Sequence, residues 1–238
     1  MSAATVKQIL CLANSRKRGG RCVIGKEMLP DRTLAWVRPV SDSPQGEVTP
    51  DEIRYDDGSQ PAILDVIEVP VTAPKPLPYQ PENWLIAPGQ WRRDRRADLR
   101  NADRWVDPPE TLWMNGFDSA RGRNDRFPYS PQQTLGDSAR FIRAPALTLH
   151  VSEQNNPDTG SPRRELRGEF DYEGNRYTLR ITDIAYEEHY QDLETGIYQL
   201  GKCYLTVTVG EPFRRAADEP EYHYKLIAAI LEEQGGLA

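Results

Sequence analysis

Metal sites and nucleophilic active sites are usually built from residues that this sequence holds in small number, three cysteines and three histidines among 238 residues. Cys11, Cys22 and Cys203 make no Cys-x-x-Cys pair, so neither a disulfide framework nor a thiolate zinc site is indicated, and reduced, buried thiols are expected. His150, His189 and His223 lie far apart, without the His-x-x-x-His or His-Glu-x-x-His spacing of a zinc hydrolase. Glu187-Glu188-His189, flanked by Tyr186 and Tyr190, is the one acid–base cluster, and it reads equally well as a polar loop after a strand. Neither a Gly-x-Ser-x-Gly elbow nor a Gly-x-x-x-x-Gly-Lys-Ser/Thr loop occurs, which leaves nucleophilic catalysis and Walker-type nucleotide binding without a motif. Long apolar runs are also missing: no stretch of about 18 residues would span a bilayer, and the apolar run ending at Leu12 is too short for a secretory segment. A cytoplasmic protein with no membrane partner is expected. The acidic group Asp51, Glu52, Asp56 and Asp57 fits no calcium-loop spacing and reads as a solvated turn, so no metal or other cofactor is implied.

What is present points to β structure. Apolar residues make up 38% of the chain, with 20 prolines and 17 glycines, a balance that suits many short strands and ordered loops. Residues 6–13, 21–26 and 33–40 read as the first three strands of a meander, and residues 62–71 as a fourth, too densely apolar to be exposed on one side. Residues 140–152, broken by Pro145, read as a further strand. Residues 166–172 and 176–185, joined through Glu173-Gly174-Asn175, form the clearest hairpin, and residues 202–209 read as a β-branched closing strand. Residues 90–105, with six arginines and three aspartates, suggest a short solvated helix. In residues 222–233, Leu226, Ile227, Ile230 and Leu231 stand at i, i+1, i+4 and i+5, and Gly235-Gly236 follow, so a C-terminal amphipathic helix is expected. The two β halves could be distant copies of one fold.

The net charge of −6 argues against a protein that coats nucleic acid over its whole surface, but the charge is unevenly placed. Residues 14–38 hold seven basic and two acidic side chains, residues 42–68 one basic and eight acidic. The basic run Asn14, Ser15, Arg16, Lys17, Arg18, Gly19, Gly20, Arg21 lies between two apolar segments. Its cations can donate charge-assisted bonds, and its glycine backbone can form an anion nest. A solvated basic hairpin is the plain alternative. Trp36 and Arg38, two apart, share one face of a strand, where an indole and a guanidinium could stack a base for about 1–3 kcal/mol; the rival is a core tryptophan beside a snorkelling arginine. Trp84, Trp91, Arg92, Arg93, Arg95 and Arg96 interleave aromatics with cations, a composition suited to single-stranded nucleic acid or an acidic protein partner, or to local pairing with Asp94, Asp98 and Asp103.

Several ordered segments together resemble one family: residues 10–15 (Leu-Cys-Leu-Ala-Asn-Ser) with Lys17 and residues 20–22, residues 36–41 (Trp-Val-Arg-Pro-Val-Ser), Leu64-Asp65-Val66, residues 80–84 (Gln-Pro-Glu-Asn-Trp), residues 205–213, and residues 224–230. The chain resembles the dual OB-containing domain family of prokaryotes, from about residue 6 to about residue 231. The resemblance implies a mainly β chain with two OB-like barrels: residues 1–145 with an arginine- and tryptophan-rich insertion at about 73–138, and residues 146–238 ending in the helix. It also implies a role in prokaryotic conflict or defence systems and no known reaction. OB barrels commonly bind oligonucleotides on an exposed strand face. The expected function is thus noncatalytic nucleic-acid binding, directed at single strands or at the backbone. The alternatives are a sensor or enzyme for a small anionic nucleotide, and a protein-interaction subunit that engages a protein partner.

Overall fold

A computed structural model describes residues 4–107, 111–155, 161–214, 218–234 and 236–237. The chain divides into two compact units, residues 1–106 with 131–139, and residues 107–130 with 140–238.

The first unit holds β1 (Thr5–Lys17), β2 (Gly20–Met28), β3 (Leu34–Val40), β4 (Asp65–Pro74), β5 (Asn83–Ile86) and β6 (Arg92–Arg96). Its pairings run β1–β2–β3–β5–β4 and return to β1, with β3 and β5 parallel and the other pairs antiparallel. The inward positions of these strands, among them Ile9, Cys11, Val23, Val37, Ile67 and Val69, pack with Trp91 and Tyr55 into one core. The stretch expected to be one insertion is divided. Trp84 lies on β5, residues 107–130 belong to the second unit, and residues 131–139 return to the first. Its mixed composition hid these assignments because β5 is only four residues long and pairs at a distance.

The second unit holds β7 (Arg126–Pro128), β8 (Ala139–Ala144), β9 (Leu147–Asn155), β10 (Pro162–Tyr172), β11 (Asn175–Ile181), α1 (Ile184–Gln191), β12 (Gly196–Leu200), β13 (Cys203–Val209) and β14 (Tyr222–Glu232). The order is β12-β9-β10-β11-β14-β13-β8, with β7 on β14 and β11 parallel to β14. Glu173 and Gly174 make the β10–β11 turn, both with left-handed backbone (φ 46° and 72°), as a tight hairpin requires. β9, β10, β11 and β14 follow one another as β1, β2, β3 and β5 do, with β12 on β9 and β13 on β14 taking the two pairings that β4 makes with β1 and β5, and with the third strand again parallel to the last.

One expected helix is a strand, and the other is part strand and part helix. Residues 222–232 form β14, which pairs with β13, β11 and β7. Its residues from Ile227 to Leu231 are buried on both faces, so the apolar positions run on without alternation and imitate a helical stripe. In residues 90–105, β6 pairs with β4 at residues 65–68, and only Leu99–Trp105 is helical, as a 3-10 helix capped by Asp98. The open edge of β4 decides the conformation of residues 92–96, which are all exposed and add no apolar side chain to the core.

Candidate nucleic-acid interface

The basic run forms the tip of the β1–β2 hairpin. Lys17 pairs with Gly20, which leaves Arg18 and Gly19 as a two-residue turn, and the left-handed backbone falls on Arg18 (φ 48°) rather than on a glycine. Gly20 serves packing instead: a Cβ there would lie 2.6 Å from the Val48 carbonyl oxygen, and its absence lets Arg21 and Val48 exchange backbone bonds of 2.8 and 3.1 Å. Replacing Gly20 by Ala should therefore lower stability by about 1–3 kcal/mol, whereas Gly19→Ala, with nothing within 4 Å of the added methyl, should change it by less than about 0.5 kcal/mol; urea unfolding of the two variants checks this. Asn14 and Ser15 hold the hairpin rather than face outward. Asn14 Nδ2 donates to the Pro61 carbonyl at 2.9 Å, and Ser15 Oγ to the Cys22 carbonyl at 3.4 Å. Lys17 Nζ donates to the Gln45 carbonyl, and Arg16 and Arg18 are exposed.

Trp36 and Arg38 do share one face of β3, but Arg38 is not available to a base. It is buried, with Nε 3.0 Å from Glu82 Oε1, Nη2 donating to Ser138 Oγ at 2.7 Å and Nη1 directed at Cys22 Sγ at 2.7 Å. Glu82 also accepts from the Ser138 hydroxyl and, at 3.3 Å, from the Ser138 backbone N–H. These partners lie 44 and 100 residues from Arg38, so no local pattern announces them. Trp36, on the outer face of β3, and Trp84, packed against the core from β5, each already carry a cation. Lys26 Nζ sits 4.8 Å from the Trp36 ring centroid and donates to the Trp105 carbonyl at 2.6 Å, and Lys7 Nζ, paired with Glu27, sits 4.0 Å over Trp84. Trp91 is buried in the core of the first unit. Lys7, Lys26, Glu82 and Ser138 are thus the residues that sequence reasoning missed. Only Glu82 carried a signal, as part of the 80–84 segment behind the family resemblance.

β6 is different. Arg92, Arg93, Asp94, Arg95 and Arg96 are all exposed on the terminal strand of the sheet. Arg93 stands 3.5 Å from Asp57 and over Tyr55, Arg95 pairs with Asp94, and Arg96 lies 3.5 Å from Asp65. The Arg93–Asp57 and Arg95–Asp94 pairs are exposed and weak, about 0–1 kcal/mol, so these guanidiniums can exchange a carboxylate for a phosphate at little cost, whereas the Asp65 partner of Arg96 is buried. The acidic turn beside it is occupied by short-range bonds, Asp51 to Arg54 at 2.6 Å and Asp57 to the Ser59 hydroxyl at 2.5 Å, and no group of three or more metal-ligating side chains occurs among the described residues.

The candidate residues thus fall into four settings of the first unit: the hairpin tip, the covered outer face of β3 with Trp36 and Arg38, the core side with Trp84 and Trp91, and the arginine strand. No curated protein and no solved structure matches the chain. The dual OB-containing domain does match, over residues 7–230, from the first strand into the last and across both units, and the chain belongs to that family.

Proposed function

We propose that this protein binds nucleic acid through its phosphodiester backbone, using the first unit. The observation that carries the reading is β6, a wholly exposed edge strand with four arginines on an OB-family chain. The cationic tip with Arg16, Lys17, Arg18 and Arg21 adds to it. With Arg38 enclosed and Trp36 and Trp84 each under a lysine, the interface grips phosphates more than it stacks bases. In this reading both units are OB-type barrels. The first has a closed ring of pairings, and the second repeats its strand succession. A cytoplasmic, prokaryotic defence setting belongs to the same reading and rests on the family resemblance alone.

Fluorescence anisotropy with labelled single-stranded DNA and RNA at two salt concentrations tests the reading. Wild-type affinity should fall steeply with salt, and the Arg92→Ala/Arg93→Ala/Arg95→Ala variant should flatten the logarithmic slope by about 2, at roughly 0.7 per lost phosphate contact. Arg16→Ala/Lys17→Ala/Arg18→Ala should act in the same direction. Salt-insensitive binding by the wild type, or an unchanged slope in both variants, would sink the proposal.

A further inference from the structure

The β9, β10 and β11 strands of the second unit send alternate side chains, among them Leu149, Leu166, Tyr177 and Leu179, into a core, which leaves the intervening positions facing outward. Register arranges those positions in rows. His150 on β9, Arg167 on β10 and Arg180 on β11 stand directly opposite one another, and Arg163 follows on the same face of β10. Arg167 and Arg180 are like charges directly opposite on adjacent strands, an arrangement that destabilises a sheet unless anions offset it. The carboxylates present are only partly free to serve. Glu165 takes Arg167 Nε at 2.9 Å and stands 3.6 Å from Arg121. Asp125 Oδ2, 3.5 Å from Arg167 Nη1, already accepts from the Ser119 hydroxyl at 2.6 Å. Glu187 of α1 acts on Arg180 at longer range.

Donor capacity is therefore left over. Arg163 Nε, Arg167 Nη1 and His150 Nε2 are buried without a hydrogen-bond partner, Arg167 Nη1 having only Asp125 at 3.5 Å and His150 Nε2 only Glu169 at 3.9 Å, and Arg180 stands half-buried beside Arg167. Burial, and next the charge of Arg163, pull the Arg180 pKa down from its ordinary value, against the upward pull of Glu165 and Glu187. Native proteins seldom bury unsatisfied donors without a reason.

We propose that Arg163, Arg167 and Arg180 form a phosphate-binding site on the outer face of the second unit, with Glu165 and Asp125 holding the guanidiniums in position. Planar guanidinium forks match the oxygens of a phosphoryl group, and Arg167 and Arg180 stand side by side on adjacent strands with Arg163 four residues along the same face of β10. β14 continues the face beyond β11, where Leu226 pairs with Arg180 and Tyr224 and Tyr222 follow, and the exposed Phe213 lies 6.3 Å from Tyr224. The site belongs to the second unit, and it does not depend on the first-unit reading.

Thermal unfolding of the full chain tests it with two probes, inorganic phosphate and a short oligothymidylate, each against chloride at matched ionic strength. At about ten times Kd, phosphate should raise the Tm of the wild type by roughly 3–6 °C. Arg180→Gln and Arg163→Gln/Arg180→Gln, which remove the guanidinium charge but keep part of the aliphatic stem and a polar end, should lose that rise, and Arg180→Lys should keep only part of it. A shift by the oligonucleotide that competes with phosphate identifies a phosphodiester as the ligand, whereas a shift by phosphate alone identifies a free anion or a phosphate monoester. No rise above chloride in the wild type, or an equal rise in Arg180→Gln, overturns the proposal. The Arg92→Ala/Arg93→Ala/Arg95→Ala variant should keep the phosphate-induced rise whether or not the first unit binds nucleic acid, so the two readings fail separately.

Discussion

Replacing Glu82 by Ala should lower the stability of the first unit by about 3–5 kcal/mol, because it leaves the Arg38 guanidinium buried without its carboxylate. Both side chains are nearly inaccessible, 3% and 4% exposed, and Glu82 ties Arg38 on β3 to Ser138 at the far end of the unit's sequence. The cost comes less from the attraction lost than from the charge stranded. The Arg38→Met/Glu82→Leu double variant, which removes both charges and keeps the volume, should accordingly recover much of the loss. Urea unfolding of the three proteins measures the comparison, and wild-type stability in Glu82→Ala would show that the pair is not enclosed as described. The same result bears on function, since an arginine fixed in this way cannot also stack a base.

Local signals carried most of the fold. The β10–β11 hairpin was legible because Glu173-Gly174-Asn175 interrupts two alternating runs, and β9 and β13 because their apolar patterns are short and bounded by turn residues. β14 was misread because a strand buried on both faces has no period of two to detect, and β6 because an arginine run looks solvated in either conformation. The same division holds for the candidate site. The basic tip was legible as a charge run, but the enclosure of Arg38 depends on Glu82 and Ser138, which come from remote segments. The row His150, Arg167, Arg180 was invisible for a related reason. Each residue sits in an ordinary exposed-strand pattern, and only the register of three strands sets them side by side.

The stability of the second unit should rise with pH between about 7 and 10 on account of a single residue, Lys225. It stands at an inward position of β14, is 1% exposed, and donates from Nζ to the Met114 carbonyl at 2.8 Å and to Asn115 Oδ1 at 3.0 Å, 5.3 Å from the Tyr177 ring centroid. Burial penalises the ammonium and brings the pKa down to about 7, against the upward pull of Asp125 and Asp118. The unfolded chain keeps this lysine near 10.4. Between the two values the unfolded state therefore binds the extra proton, and stability climbs with pH by up to about 1.4 kcal/mol per unit; as pH falls back through this window the penalty builds, and below about 7 it is complete. Lys225→Met removes the titration, along with two hydrogen bonds whose loss does not depend on pH. The informative quantity is therefore the change in the difference between the two proteins. Wild type should gain roughly 2–4 kcal/mol on the variant from pH 7 to pH 10 in urea unfolding. Parallel pH profiles would mean that the ammonium stays charged in the folded protein, held by Asp125, Asp118 and the two oxygens that accept its bonds.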